Sequence, residues 1–224
     1  IDFLDKIKDL KEKNYYTILL FHGGKEHYML PTPNQKKICE FFLKNGVDIV
    51  ICQHSHISGV IDEIDSRYII YGQGNFVFDP YPKDREWLYK GMLIELNIKE
   101  NQLYNIDFHP IYHNSISDKN KIGINLMPNE DKDIFLKNIK KISRKYKNDP
   151  NYVYQSWQKL SLKNKNLFFS SFNGNGRILR KINQYFPYLN FKYNRKSKTI
   201  LKNTISCETH LEMARTILEY DIDN

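Results

Sequence analysis

Apolar residues recur in more than one rhythm along this chain. Ile1, Leu4, Ile7 and Leu10 stand at helical spacing and predict an opening amphipathic helix. Two short continuous apolar runs follow, Tyr15–Phe21 and Val47–Cys52, which read as buried strands. Between them a helix is expected to start with Thr32 as N-cap, Pro33 as first residue and Gln35 as third, a capping box with the favoured proline. Ile38, Phe41, Phe42 and Leu43 are its expected inward face, and Asn45-Gly46 its left-handed stop. Strand, helix, strand is a βαβ unit, so the two strands should be parallel neighbours.

Beyond residue 56 the pattern shortens. Gly59–Glu63 and Arg67–Tyr71 read as strands joined by a hairpin turn at Asp65-Ser66. Gly72-Gln73-Gly74-Asn75 precedes an apolar triplet, Phe76-Val77-Phe78, expected to be a strand; two glycines permit positive φ and close backbone approach. Gly91–Ile98 and Leu103–Pro110 form an expected antiparallel pair around Glu100-Asn101. From Ser115 onward the chain reads as helical and polar, with helices at Asp133–Tyr146, Tyr152–Phe169, Arg177–Tyr185 and Glu208–Tyr220 and loops at Asn148-Asp149-Pro150 and Phe172–Gly176.

The ends of the two apolar strands carry the chemistry. Phe21-His22-Gly23-Gly24-Lys25-Glu26-His27-Tyr28 follows the first and Cys52-Gln53-His54-Ser55-His56 the second. Loops at the carboxyl ends of parallel strands are where ligands collect. His54 and His56 are two apart, so both imidazoles can face one side, and His22 on the neighbouring strand would complete a facial set for Zn, Mn or Fe. Solvated loop histidines are the competing reading. The metal reading implies proton release on binding, because the ligands must be neutral.

Composition allows a real core: 224 residues, 41% apolar and 14% aromatic. No apolar run approaches the ~20 residues that span a bilayer. Cys39, Cys52 and Cys207 are odd in number and widely spaced, reading as reduced thiols and favouring a reducing compartment. Net charge is +8, unevenly placed: residues 1–114 hold 13 Lys/Arg against 16 Asp/Glu, residues 115–224 hold 21 against 10. That asymmetry suggests two regions, 1–114 and 115–224. Residues 140–202 carry 16 Lys/Arg and one acidic residue, Asp149. Interleaved with Tyr146, Tyr152, Trp157, Tyr185 and Tyr193, they would suit an anionic polymer or membrane surface; the plainer alternative is a solvated helical face. No nucleic-acid-reading module is recognisable, and nucleic acid is not the expected partner.

In order along the chain, these motifs resemble the CapA family of capsule and poly-gamma-glutamate synthesis proteins, within the calcineurin-like metallophosphoesterases. His22-Gly23-Gly24-Lys25-Glu26-His27-Tyr28 resembles that family's His-Trp-Gly-x-Glu-Tyr, with Gly23 in place of tryptophan and one residue more before Tyr28. Asn45-Gly46-Val47-Asp48-Ile49-Val50 resembles Ala-Gly-Ala-Asp-x-Val, His54-Ser55-His56 the superfamily's Gly-His-x-His with Gln53 for glycine, and Tyr71–Phe76 the Tyr-Ser-Leu-Gly-Asn-Phe segment. The resemblance runs from Tyr15 to Ile98, more loosely to Pro110. It implies an α/β fold, the C-terminal half of a four-layer αββα metallophosphoesterase sandwich over residues 1–114, followed by a basic α-helical extension over 115–224. It also implies a site for two divalent metal ions, His22 and His54 on one and His56 on the other. The remaining ligands would come from earlier strands, so the chain is expected to be a C-terminal fragment, and any anchor would lie upstream.

The expected function is metal-dependent hydrolysis of the phosphoester type in surface-polymer synthesis. Glu26 would orient a histidine or contact substrate, and His27 would serve a leaving group. Gly23, Gly24, Lys25 and Asn75 would line the cleft for an anionic or polymeric substrate; Asn75 reads equally as a turn residue. The competing classes are a non-catalytic scaffold in a polymer synthesis or export complex and a nucleic-acid binder through residues 140–202, the latter with steeply salt-dependent affinity.

Overall fold

The computed structural model describes residues 2–77, 86–114, 123–164, 166, 176–186 and 194–206. The chain divides into two compact units, 1–157 and 158–224, so the change in composition at residue 115 is not a boundary between units.

The first unit is α/β and contains two sheets. In the first, β1 (Ile18–His22) and β2 (Ile49–Gln53) pair in parallel, Ile18 opposite Ile49 and His22 opposite Gln53. β3 (Ile61–Ile64) and β4 (Arg67–Ile70) complete it in the order β1-β2-β4-β3, with β4 parallel to β2 and antiparallel to β3. The second sheet is antiparallel: β5 (Lys90–Lys99), β6 (Gln102–Asn114) and β7 (Gly123–Leu126). Both expected hairpins turn where both central residues take positive φ, Asp65-Ser66 and Glu100-Asn101.

β2 explains its own composition. Val50 and Cys52 pack with the helices, while Ile49 and Ile51 join Ile70 and Met92 in the layer between the sheets, so four consecutive residues are buried. Each such aliphatic burial contributes about 1.5–3 kcal/mol. β1 departs from the expectation of a buried strand. It lies at the edge, with Leu19 and Phe21 packed on the helical side, but Ile18 is 42% and Leu20 66% exposed, because the inter-sheet core gathers over β2 and β4.

α1 (Phe3–Glu12) and α2 (Pro33–Lys44) cover the helical side through Ile7, Cys39 and Leu43. The Thr32 cap is as expected, its Oγ1 accepting the Gln35 N–H at 3.1 Å. The inward face is rotated from the expected one: Gln35, Cys39 and Leu43 are buried and Phe41 is 47% exposed, the i, i+4 row being the one aimed at the sheet. Cys39 and Cys52 meet there with Sγ atoms 3.6 Å apart, both buried and unbridged, as expected of core thiols. Cys207 lies outside the described residues.

α3 (Asn129–Asn148) runs past both layers: Phe135 joins the inter-sheet core, Tyr146 the helical-side core, and Ser143 Oγ accepts the Ile61 N–H at 2.9 Å, so the helix covers the β3 edge. The opposite face of the second sheet is polar; Glu95 Oε2 and His109 Nε2 are 2.8 Å apart on it. Three layers thus make up the first unit: helices, mixed sheet, antiparallel sheet. Phe76 and Val77 are not a strand but an exposed bend, 49% and 74% exposed, and Phe78 lies outside the described residues.

α4 (Tyr152–Lys163) is shorter than expected within the described residues. In the second unit α5 (Arg177–Tyr185) has the expected bounds and α6 (Arg195–Ser206) was not anticipated; Asn183 is buried and its Nδ2 donates to the Asn166 carbonyl at 3.1 Å. The expected helix Glu208–Tyr220 and most of the loop 172–176 fall outside the described residues. No helix of the described residues is long and apolar enough to cross a membrane.

Candidate functional site

Parallel pairing of β1 with β2 continues beyond the strands and sets the two histidine loops side by side. Gly23 donates its N–H to the Gln53 carbonyl at 3.4 Å, His27 to Ser55 at 2.8 Å, and Val60 to Met29 at 3.0 Å. Gly59 then donates to Gly72 at 2.9 Å and Met92 to Gln73 at 2.9 Å, so one hydrogen-bonded ladder joins the first loop to β5 of the second sheet. At its end Gly74, at φ +80°, forms a bridge with Gly91; a Cβ on Gly74 would lie 2.8 Å from the Gly91 Cα, which is why glycine is needed.

The backbone of the histidines is contorted. His27, His54 and His56 have φ of 59°, 86° and 59°. Left-handed backbone at residues with side chains costs on the order of 1–3 kcal/mol and persists only where the surroundings hold it. Ser55, 4% exposed, supplies part of that hold, its Oγ–H donating to the Ile57 carbonyl at 2.7 Å. The result is a cluster: ring centroids are 5.0 Å apart for His22 and His54, 6.2 Å for His54 and His56, and 6.0 Å for His27 and His56. Trp87, in a 3-10 turn at Glu86–Tyr89, adds an edge contact to His27 at 5.0 Å.

Asn75 fixes the chemistry of His56. Its side chain is 6% exposed; Nδ2 donates to the Leu88 carbonyl at 2.9 Å and Oδ1 faces His56 Nδ1 at 2.9 Å. The Leu88 carbonyl can only accept, so the amide orientation is set and Oδ1 must accept from His56. His56 therefore carries its proton on Nδ1, and in the neutral ring the lone pair is on Nε2, the arrangement that suits a ligand or a base.

Gln35 does the same for the first loop. Its backbone N–H serves the Thr32 cap, but its side chain, 5% exposed, does not close the capping box on Thr32: Nε2 donates to the Gly23 carbonyl at 3.3 Å. Gly24, at φ +111°, lies so close that a Cβ would stand 2.7 Å from Gln35 Oε1. Gly23 is packed under the Phe21 ring. Lys25 and Glu26 are exposed at the loop tip, Lys25 Nζ donating to the Glu26 carbonyl at 3.3 Å.

Two imidazoles sharing one divalent ion at ~2.1 Å bring their centroids to about 4.5–5.3 Å. The His22–His54 pair, at 5.0 Å, fits that spacing, whereas His56, at 6.2 Å from His54, suits a neighbouring ion. Among the described residues no group of three or more His, Cys, Asp or Glu side chains closes around one ion.

A cavity of about 680 Å³ opens beside the cluster, with His27 and Trp87 in its wall together with Lys90, Tyr112 and the face of α3 that carries Phe135 and Ile139. The structure brings together all four loop histidines and Asn75, each singled out in the sequence. Sequence reasoning missed Trp87 and the reach of Gln35 to Gly23: nothing in the spacing marks the first, and the second was hidden behind a correctly identified cap.

Residues 2–80 match the family model described as bacterial capsule synthesis protein PGA_cap. That bears out the resemblance to CapA proteins over the segment holding all the loop histidines and Asn75, and it supports a part in capsule synthesis. No curated protein matches the chain.

Proposed function

On the premise of a capsule-synthesis segment at residues 2–80, we propose that the chain carries part of the site of a metal-dependent hydrolase of the phosphoester-cleaving type. It would act in the synthesis of a bacterial capsule or of a polymer such as poly-gamma-glutamate. The observation that carries the proposal is the convergence of His22, His54 and His56 from two adjacent strand ends, with centroids 5.0 and 6.2 Å apart. When bound, a pair of divalent ions supplies Lewis-acid charge that activates water and offsets charge on the phosphoryl oxygens. The chain's own residues do the rest. His22 and His54 would hold one ion and His56 the other. Asn75 keeps the His56 proton on Nδ1, and Gln35 holds the first loop in place. His27, between His56 and Trp87, is the group proposed to deliver a proton to the leaving oxygen. Lys25 and Glu26, exposed at the loop tip, would meet the anionic substrate, and the basic stretch 140–202 an acidic polymer.

A second reading is a non-catalytic scaffold in a polymer-synthesis complex. It is favoured by the incomplete donor shell among the described residues. Hydrolysis of p-nitrophenyl phosphate and its diester by the full-length protein, with Mn²⁺, Fe²⁺ or Zn²⁺, separates the two. The hydrolase reading expects metal-dependent turnover that His54→Ala and His56→Ala abolish and His109→Ala, on the second sheet, retains. Binding of capsule polymer without any metal-stimulated turnover would establish the scaffold instead.

A further inference from the structure

The cavity beside the histidine cluster has a composition that the proposed reaction does not by itself require. Its floor is aliphatic and aromatic, built from Met29, Ile57, Met127, Phe135, Ile139 and Ile142. Among the described lining residues the cations are Lys90, Lys141 and Lys145 and the carboxylate is Asp131. Phe135, Ile139 and Ile142, with Lys145, are spaced by three or four along α3 and so lie on one helix face, with Phe135 packed on the inter-sheet core and Ile142 on the helical-side core. At about 680 Å³ the cavity is within the usual range for a small ligand, roughly 300–1,000 Å³, and has no room for a folded segment. Phosphate alone would leave the apolar floor uncovered. A neutral hydrocarbon would make no use of the Lys141 and Lys145 ammonium groups.

We propose that this cavity binds an amphiphilic anion: a phosphate or carboxylate head held by Lys141, Lys145 and Lys90, and an aliphatic body laid along α3. The inference rests on the hydrolase reading only in taking the charged head as the end that faces the histidine cluster. Charge complementarity selects the head, because charge-assisted hydrogen bonds from lysine are the strong ones available. Apolar burial selects the body, since each CH₂ removed from water contributes about 0.8 kcal/mol. The substrate class of the site would then be an alkyl-bearing acid, not a bare sugar phosphate or free glutamate.

Calorimetric titration of the full chain with dodecyl phosphate below its micellar concentration tests this, beside inorganic phosphate and the uncharged dodecyl maltoside. The fluorescence of Trp87 in a Trp157→Phe background gives a second readout inside the cavity. Saturable one-to-one binding of dodecyl phosphate is expected, with a shift in Trp87 emission, and with both other compounds at least tenfold weaker. The double variant Lys141→Gln/Lys145→Gln should weaken dodecyl phosphate about tenfold and leave the maltoside unchanged. Equal affinity for inorganic phosphate would overturn the aliphatic part, and equal affinity for the maltoside the anionic part. Binding without any change at Trp87 would overturn the location. Should the double variant not fold, the three-ligand comparison on the unmodified chain decides alone. His54→Ala is expected to keep dodecyl phosphate affinity while losing metal. If the unmodified chain binds no metal but still binds the amphiphile, the hydrolase reading fails and the cavity stands.

Discussion

Asn75→Ala removes a buried side chain that makes two hydrogen bonds of 2.9 Å, one to the Leu88 carbonyl and one from His56 Nδ1. Each partner left unsatisfied in a buried place costs about 1–3 kcal/mol, so the substitution should destabilise the fold by about 2–5 kcal/mol. In a unit the size of residues 1–157, each kcal/mol lowers the melting temperature by about 2–4 °C, giving a fall of roughly 4–20 °C. Loss of the partner that orients a metal-binding histidine should also weaken divalent metal about 10–100-fold. Asn75→Asp separates the two effects. Its carboxylate still accepts from His56 Nδ1 but now faces the Leu88 carbonyl, acceptor against acceptor, so the expected result is a comparable thermal loss with metal affinity retained. Thermal melts by circular dichroism and metal titration of the three proteins read both quantities. A melting temperature unchanged in Asn75→Ala, or metal affinity kept in Asn75→Ala and lost in Asn75→Asp, would refute the assignment of the His56 tautomer.

Gly24→Ala should cost about 1–2 kcal/mol in urea unfolding, because φ is +111° and the new Cβ meets the Gln35 amide at 2.7 Å; Gln35→Ala in the same background should relieve the clash but not the backbone strain, and a neutral Gly24→Ala would contradict the loop geometry. At high pH the fold should weaken. Burial, then the Asp48 carboxylate and Tyr68, push Tyr16 up to about 12 from its ordinary value near 10, and burial raises Tyr71 and Tyr146 as well. Folded-state values above the unfolded ones mean full stability below about pH 10 and progressive loss as pH rises through 12. Phenolate absorbance and denaturant midpoints measured together check this; stability flat across that window would contradict it.

Much of the first unit was legible because its patterns are local. A continuous apolar run for β2, a capped helix with Asn45-Gly46 at its end and hairpin turns at Asp65-Ser66 and Glu100-Asn101 each follow from residues within a few positions of one another. What escaped depends on tertiary neighbours. The exposure of Ile18 and Leu20 on β1 is decided by where the second sheet packs, which nothing within β1 records. The apolar Phe76-Val77 reads as a strand by composition but is an exposed bend. β7 was missed because Gly-Ile-Asn-Leu carries too short an alternation to read as a strand; it is stabilised by pairing with β6. At the site, residue types and spacing pointed to His22, His54 and His56, and parallel register brings them together. The tie between Asn75 and His56 spans 19 positions and needs the Leu88 carbonyl as a third partner, so only the fold reveals it.

The central claim is that imidazoles from the ends of β1 and β2 hold a divalent ion. Calorimetric titration with Zn²⁺ and Mn²⁺, repeated in two buffers of different ionisation enthalpy, measures occupancy and released protons at once for the unmodified chain, His54→Ala and His56→Ala. The account predicts metal binding with proton release in the first, and lower occupancy with less proton release in each variant. Metal occupancy unchanged by His54→Ala and His56→Ala would contradict it.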